Sequence, residues 1–173
     1  KTSPLRSSYT SNFIELLQLT NSSIAVTTYQ AGKLVLLRKQ GDKMNTHFHN
    51  ISRPMGMAIG GDNLAIGTRN GVEFFVDVPV PTEAETRKGR YVRRLEQVTG
   101  NIDIHEMSFT SKELWLVNTK FSCLCTLDLK NNFVPRWKPD FISDLKPEDR
   151  CHLNGLCVID DAPKYVSALG VAD

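Results

Sequence analysis

Three short stretches of the chain bring together the side chains most able to do chemistry. Asp103-Ile104-His105-Glu106 offers an imidazole flanked by carboxylates, and His152-Leu153-Asn154-Gly155 offers a second imidazole beside an amide. Arg53-Pro54-Met55-Gly56 adds a guanidinium. His105 and Glu106 are the candidate catalytic residues, because either can act as a general base toward a polarised ester or lactone carbonyl. Arg53, Asp103, His152 and Asn154 are the candidate ligand contacts. Glu106 and Asn154 are the candidate metal ligands, since carboxylate and amide oxygens suit a hard divalent cation such as calcium or magnesium. Two histidines with a carboxylate would instead suit a transition metal. Each residue also has an ordinary reading. His105 could satisfy its ring against a neighbouring strand, Glu106 could be a solvated strand-end carboxylate, and Asn-Gly in isolation is most often a turn. The sequence holds no nucleophile elbow, phosphate-cradling glycine loop or dinucleotide fingerprint.

What would gather these stretches is a repeat. Ile24, Leu64, Leu114 and Lys164 fall in register at intervals of 40, 50 and 50 residues. Their successors match as well: Ala25, Ala65, Trp115 and Tyr165, then Val26, Ile66, Leu116 and Val166. Short β-prone runs alternate with turns around each anchor. Asp103–Asp128 shows the unit most fully, with strands expected over Ile104–Phe109, Glu113–Asn118 and Ser122–Asp128. Phe13–Leu19 is read, by analogy with the later units, as the first strand of the first one. The segment 79–89 reads as a surface loop, as does 139–150, the latter with one helical turn at Ile142–Leu145.

Units of about 40–50 residues, each with three or four short antiparallel strands, are the mark of a β-propeller blade. The predicted fold is therefore all-β and β-propeller-like, with about three and a half blades where whole propellers carry about 4–8. Such an arc is a partial propeller, or half of a ring completed by more chain or by a second copy. The alternative is an ordinary β-sandwich with coincidental spacing. Residues 1–11 are expected to be a flexible N-terminal segment and 12–173 one partial propeller domain. In a propeller each blade's innermost strand starts near one mouth of the channel, so like-placed leading residues converge there.

Composition narrows the function classes. A net charge of +2 is too small to suggest nucleic acid as a partner, and the basic run 87–94 reads as a solvated surface. No run of about 18 apolar residues is present, so a membrane helix is not expected. Cys123, Cys125, Cys151 and Cys157 lack zinc-pair spacing, and buried, reduced thiols fit a cytoplasmic protein.

The blocks DIHE at 103–106, VNTKFSCL at 117–124, FVPRW at 133–137 and PEDRCHLNGL at 147–156 resemble a family of uncharacterised bacterial β-propeller-like proteins, a domain of unknown function. The resemblance extends over nearly the whole chain. It implies a propeller fold in a bacterial, intracellular protein, with no established activity. Members of that family are longer, so the chain resembles their N-terminal half, with further blades C-terminal to it. A weaker similarity, carried by Arg53–Gly56 and Asn154–Gly155, is to gluconolactonase and strictosidine-synthase-like propellers, in which such motifs lie beside a central metal.

Three functions are consistent with these residues. The leading one is a binding module that holds a small polar ligand, a metal or a peptide at the channel mouth. The second is a metal-dependent hydrolase or lactonase using the same residues. The third is a structural interaction protein that assembles, as a homodimer for instance, through open blade edges.

Overall fold

The computed structural model describes residues 8–78 and 90–173. The predicted loop at 79–89 and most of the predicted flexible N-terminal segment lie outside the described residues. The chain divides into two compact units, Lys1–Arg53 and Pro54–Asp173.

The first unit opens with a helix, α1 (Ser11–Leu19), followed by β1 (Ile24–Thr28), β2 (Lys33–Gln40) and β3 (Lys43–Asn50), which form an antiparallel meander. The strand expected over Phe13–Leu19 is thus a helix. The reason is local: Phe13, Leu16 and Leu17 recur at helical spacing, Leu17 is the buried residue, and Thr10 stands at the N-cap in an extended conformation. Analogy with the later units could not reveal this, because the first unit has no strand at that place in the repeat.

The second unit contains three antiparallel sheets in chain order. The first joins β4 (Met57–Gly60), β5 (Asn63–Gly67), β6 (Gly71–Asp77) and β7 (Tyr91–Val98). The second joins β8 (Ile104–Phe109), β9 (Leu114–Asn118), β10 (Cys123–Thr126) and β11 (Val134–Trp137). The third pairs β12 (Leu153–Ile159) with β13 (Ala162–Ala168). None of the sheets closes on itself. The connection from β12 to β13 is tight: Asp160 and Asp161 both take left-handed conformations (φ 51° and 62°), as a two-residue hairpin loop requires. The helical turn expected at Ile142–Leu145 is absent. A turn instead closes one step earlier, with the Ile142 N–H donating to the Pro139 carbonyl at 3.0 Å, and Ile142 fills the core.

The sheets pack through their leading strands, β4 and β5 against β8 and β12 against β8 and β9. Small residues on the first sheet allow this approach. A Cβ added to Gly67 would stand 2.9 Å from the Ile104 side chain, and one on Gly60 would stand 2.8 Å from the Phe109 ring. Ala58, Ala65 and Val72 pack with Ile104, Met107, Leu116, Cys123 and Cys125 in one core. Val117, Leu124, Ile142, Cys151 and Leu153 form another, covered by Trp115, Leu156 and Val166. The second sheet therefore contributes to both cores. Each buried aliphatic side chain in them contributes on the order of 2 kcal/mol by leaving water.

Cys123, Cys125 and Cys151 are buried free thiols as expected, whereas Cys157 is exposed. Burial pushes the Cys123 thiol up to about 12. Cys125 is pushed up as well, by burial first and then by Cys123, with the nearby Asn118 side chain opposing. Both are protonated and inert at neutral pH. Within the basic run, Arg93 lies on β7 and pairs with Glu73 (3.4 Å) and Glu96; residues 87–89 are outside the described set. No helix among the described residues is long and apolar enough to cross a membrane.

Candidate functional site

The leading ends of the strands repeat in their backbone as well as in sequence. Arg53, Asp103 and His152 each adopt a left-handed conformation, with φ of 48°, 55° and 47°. For a residue with a Cβ this costs roughly 1–2 kcal/mol. Each is followed by a buried apolar residue: Pro54, Ile104 and Leu153. The strand then gains one residue. Ile104 pairs with Asn118 and Met107 with Leu116, so His105 and Glu106 together oppose Val117. Leu153 pairs with Ala168 and Leu156 with Val166, so Asn154 and Gly155 oppose Ser167 in the same way. Met55 and Gly56 make the equivalent step against Gly67, whose carbonyl accepts from the Met55 N–H and whose N–H donates to the Gly56 carbonyl. Bulges of this kind re-aim a side chain at the end of a sheet. They fall here on the residues singled out from the sequence.

One connection in the second unit positions two of these leads. The turn from β9 to β10 begins at Asn118, whose Oδ1 accepts from the Phe121 N–H at 3.0 Å and so caps the turn. The Thr119 N–H donates to the Asp103 carbonyl (3.3 Å) and the Lys120 N–H to the Ile102 carbonyl (3.2 Å). From its other side the turn takes hold of the next lead. The Lys120 carbonyl accepts from the Asp149 N–H (2.9 Å), Thr119 Oγ1 donates to the Leu153 carbonyl (2.6 Å), and Ser122 Oγ accepts from the Cys151 N–H (3.5 Å). Thr119 and Ser122 are buried, so these bonds are sheltered from water.

This arrangement brings His105 and His152 together, with ring centroids 4.8 Å apart and planes at 89°. His152 Nδ1 lies 2.7 Å from Asp149 Oδ2. A carboxylate can only accept, so Nδ1 donates and Nε2 of the neutral ring keeps its lone pair. His105 Nε2 lies 3.5 Å from Asp103 Oδ2, yet it is shielded from solvent and has no hydrogen-bond partner. At that separation the pair is a contact rather than a hydrogen bond. A buried ring nitrogen left in this state is costly unless something else satisfies it. Glu106 turns an oxygen back to its neighbour, accepting from the Met107 N–H at 3.0 Å. Asn154 is exposed.

Asp103, His105, Glu106, His152 and Asn154 thus all stand on the leading segments of β8 and β12. Arg53 ends the first unit, where its guanidinium lies over the Tyr29 ring at 5.2 Å. Among the described residues, no three His, Cys, Asp or Glu side chains converge closely enough to hold a metal ion. Two contributors went unrecognised in the sequence. Asp149, read only as part of the loop 139–150, orients His152 from three positions upstream, and the Asp-x-x-His spacing was the available signal. Thr119 ties two leads together, and nothing in the sequence marks it.

The described residues thus form an all-β fold of several antiparallel sheets with one short helix, and polar residues stand on the bulged leading ends of β8 and β12. The chain belongs to the family described as a domain of unknown function, DUF4915, whose model matches residues 11–173. No curated protein and no solved structure matches it.

Proposed function

We propose that the chain is an arc of propeller-like blades and that it acts as a binding module, taking a small polar ligand at the leading ends of β8 and β12. The observation that carries this reading is the unsatisfied, solvent-shielded His105 Nε2, 4.8 Å by ring centroids from His152. Two left-handed residues, two bulges and a shared turn hold that nitrogen in place. Several strained or unpaired features at one spot are what a site shaped for a guest requires. The groups on offer are two imidazoles, the carboxylates of Asp103, Glu106 and Asp149, and the Asn154 amide. They suit a ligand that both donates and accepts hydrogen bonds, such as a hydroxylated or zwitterionic small molecule. The propeller reading itself is supported by the serial packing of leading strands.

The test is a thermal-shift and calorimetric screen of sugars, amino acids, small dicarboxylates and divalent chlorides. A true ligand loses at least tenfold in affinity with His105→Gln and with Asn154→Ala, and keeps its affinity with Cys157→Ser, three residues further along β12. A ligand that binds all three variants equally well would remove the site from these residues.

A further inference from the structure

The leading ends of β8 and β12 are rich in hydrogen-bond acceptors and poor in donors. Asp103, Glu106 and Asp149 carry carboxylates, which only accept. Among the described residues no lysine or arginine pairs with any of the three, and the ionic partners of Asp103 and Asp149 are the two imidazoles. Arg150, next to Asp149 in the chain, turns instead to Glu148 (2.8 Å), Ser143 (3.1 Å) and Asp173. Asp149 uses one oxygen on His152 Nδ1 and Glu106 uses one on the Met107 N–H, so each keeps a second. His152 Nε2 keeps its lone pair. His105 Nε2 stands 3.5 Å from Asp103 Oδ2, too far for either atom to satisfy the other. With the ring proton on Nδ1, that nitrogen and that carboxylate are two acceptors side by side. One donor carrying several hydrogens can bond both. The His105 side chain is 11% exposed and that of Asp103 is 35% exposed, so Asp103 is the solvent-facing member of the pair.

We infer that the group bound at this site is the protonated primary amine of a small hydroxylated molecule, an inference that rests on the binding-module reading. An ammonium has three donors and no acceptor, the complement of what the leading ends present. Its charge offsets carboxylates that no lysine or arginine offsets, and hydrogen bonds between ionised groups are roughly twice as strong as neutral ones. A ligand carboxylate would meet like charges and no cation to receive it. A bare divalent ion is served little better, because no three His, Cys, Asp or Glu side chains among the described residues converge to hold it. The Asn154 amide both donates and accepts, which suits a hydroxyl beside the amine.

Three matched three-carbon probes separate the cases: serinol carries an ammonium where glycerol carries a hydroxyl, and glycerate carries a carboxylate. Calcium chloride is the fourth. Each is titrated into the whole chain in mildly alkaline buffer while the histidine ring signals are followed by proton–carbon NMR, with His105→Gln assigning the His105 signal. Serinol should shift the His105 and His152 signals saturably, with a dissociation constant at least tenfold below those of the other probes. Asp103→Asn removes a charge and keeps a residue that tolerates the left-handed backbone, so the circular dichroism should hold while the serinol constant rises at least tenfold. Glu106→Gln, which keeps an acceptor for the Met107 N–H, should weaken serinol in the same direction. If glycerol, glycerate or calcium shifts the same signals as tightly as serinol, the ammonium inference falls and the binding site stands. Serinol binding indifferent to both variants also overturns it. If no probe moves either ring at saturating concentration, the inference falls together with the site beneath it.

Discussion

Gly67→Ala probes the contact on which the position of β8 depends. The new Cβ would arrive 2.9 Å from both Cβ and Cγ2 of Ile104, closer than side-chain carbons pack, and Ile104 is 3% exposed. Neither partner has room to retreat, because Gly67 also bonds Gly56 through its N–H (2.8 Å) and Met55 through its carbonyl (3.2 Å). Overpacking of this kind costs about 1–3 kcal/mol. Ile104→Ala on its own costs about 2–5 kcal/mol by leaving a cavity. In the double variant the added methyl enters space that the isoleucine has vacated, so the two costs should fall short of additivity by about 1 kcal/mol. Urea unfolding followed by tryptophan emission is the suitable assay, because Trp115 and Trp137 both lie on the second sheet of that unit. With a slope of about 2 kcal/mol per molar urea, Gly67→Ala should lower the midpoint by about 0.5–1.5 M. Strict additivity, or a Gly67→Ala midpoint equal to wild type, would show that β5 and β8 are not in this contact and would undo the placement of His105.

Other consequences are equally open to measurement. Thr119→Val removes the hydroxyl that donates to the buried Leu153 carbonyl, and should cost about 1–3 kcal/mol by urea titration. Asp161 accepts from the Ser111 N–H at 2.6 Å and from its hydroxyl, and these bonds hold its carboxyl below the ordinary carboxylate range. Its stabilising contribution is therefore complete above that range and lost as pH falls through the depressed value, so the stability gap between wild type and Asp161→Ala should be widest at neutral pH and narrow in acid to the pH-independent cost of alanine in a left-handed turn. Under native conditions one thiol, Cys157, should react quickly with a disulfide reagent, and the other three should react only after unfolding. Asp103→Gly relieves a left-handed backbone worth roughly 1–2 kcal/mol, so its unfolding midpoint should hold or rise while any ligand response mediated by Asp103 is lost.

Much of the architecture was legible because the repeat rests on alternation and turn chemistry. The anchors Leu64, Leu114 and Lys164 each lie on the second strand of their sheet, and left-handed turn residues, Gly61 and Asp160-Asp161, precede the first and last of these strands. Ile24 lies instead on the first strand of its sheet, because α1 takes the place that a leading strand holds elsewhere. The equivalence of Arg53, Asp103 and His152 was visible only approximately, since a one-residue offset separates the last from the others. The bulges themselves could not be foreseen, as an extra residue in a strand leaves no mark of its own in composition. The links from Thr119 to Leu153 and from Asp149 to His152 arise from how turns meet in space, which periodicity does not encode.

The left-handed residue before each bulged strand has a bearing on how such a fold can be altered. Its backbone shape recurs beneath three different side chains. A guanidinium, a carboxylate and an imidazole already occupy the three equivalent places. The chemistry displayed at these tips can therefore be exchanged one residue at a time, with the framework beneath them left as it is.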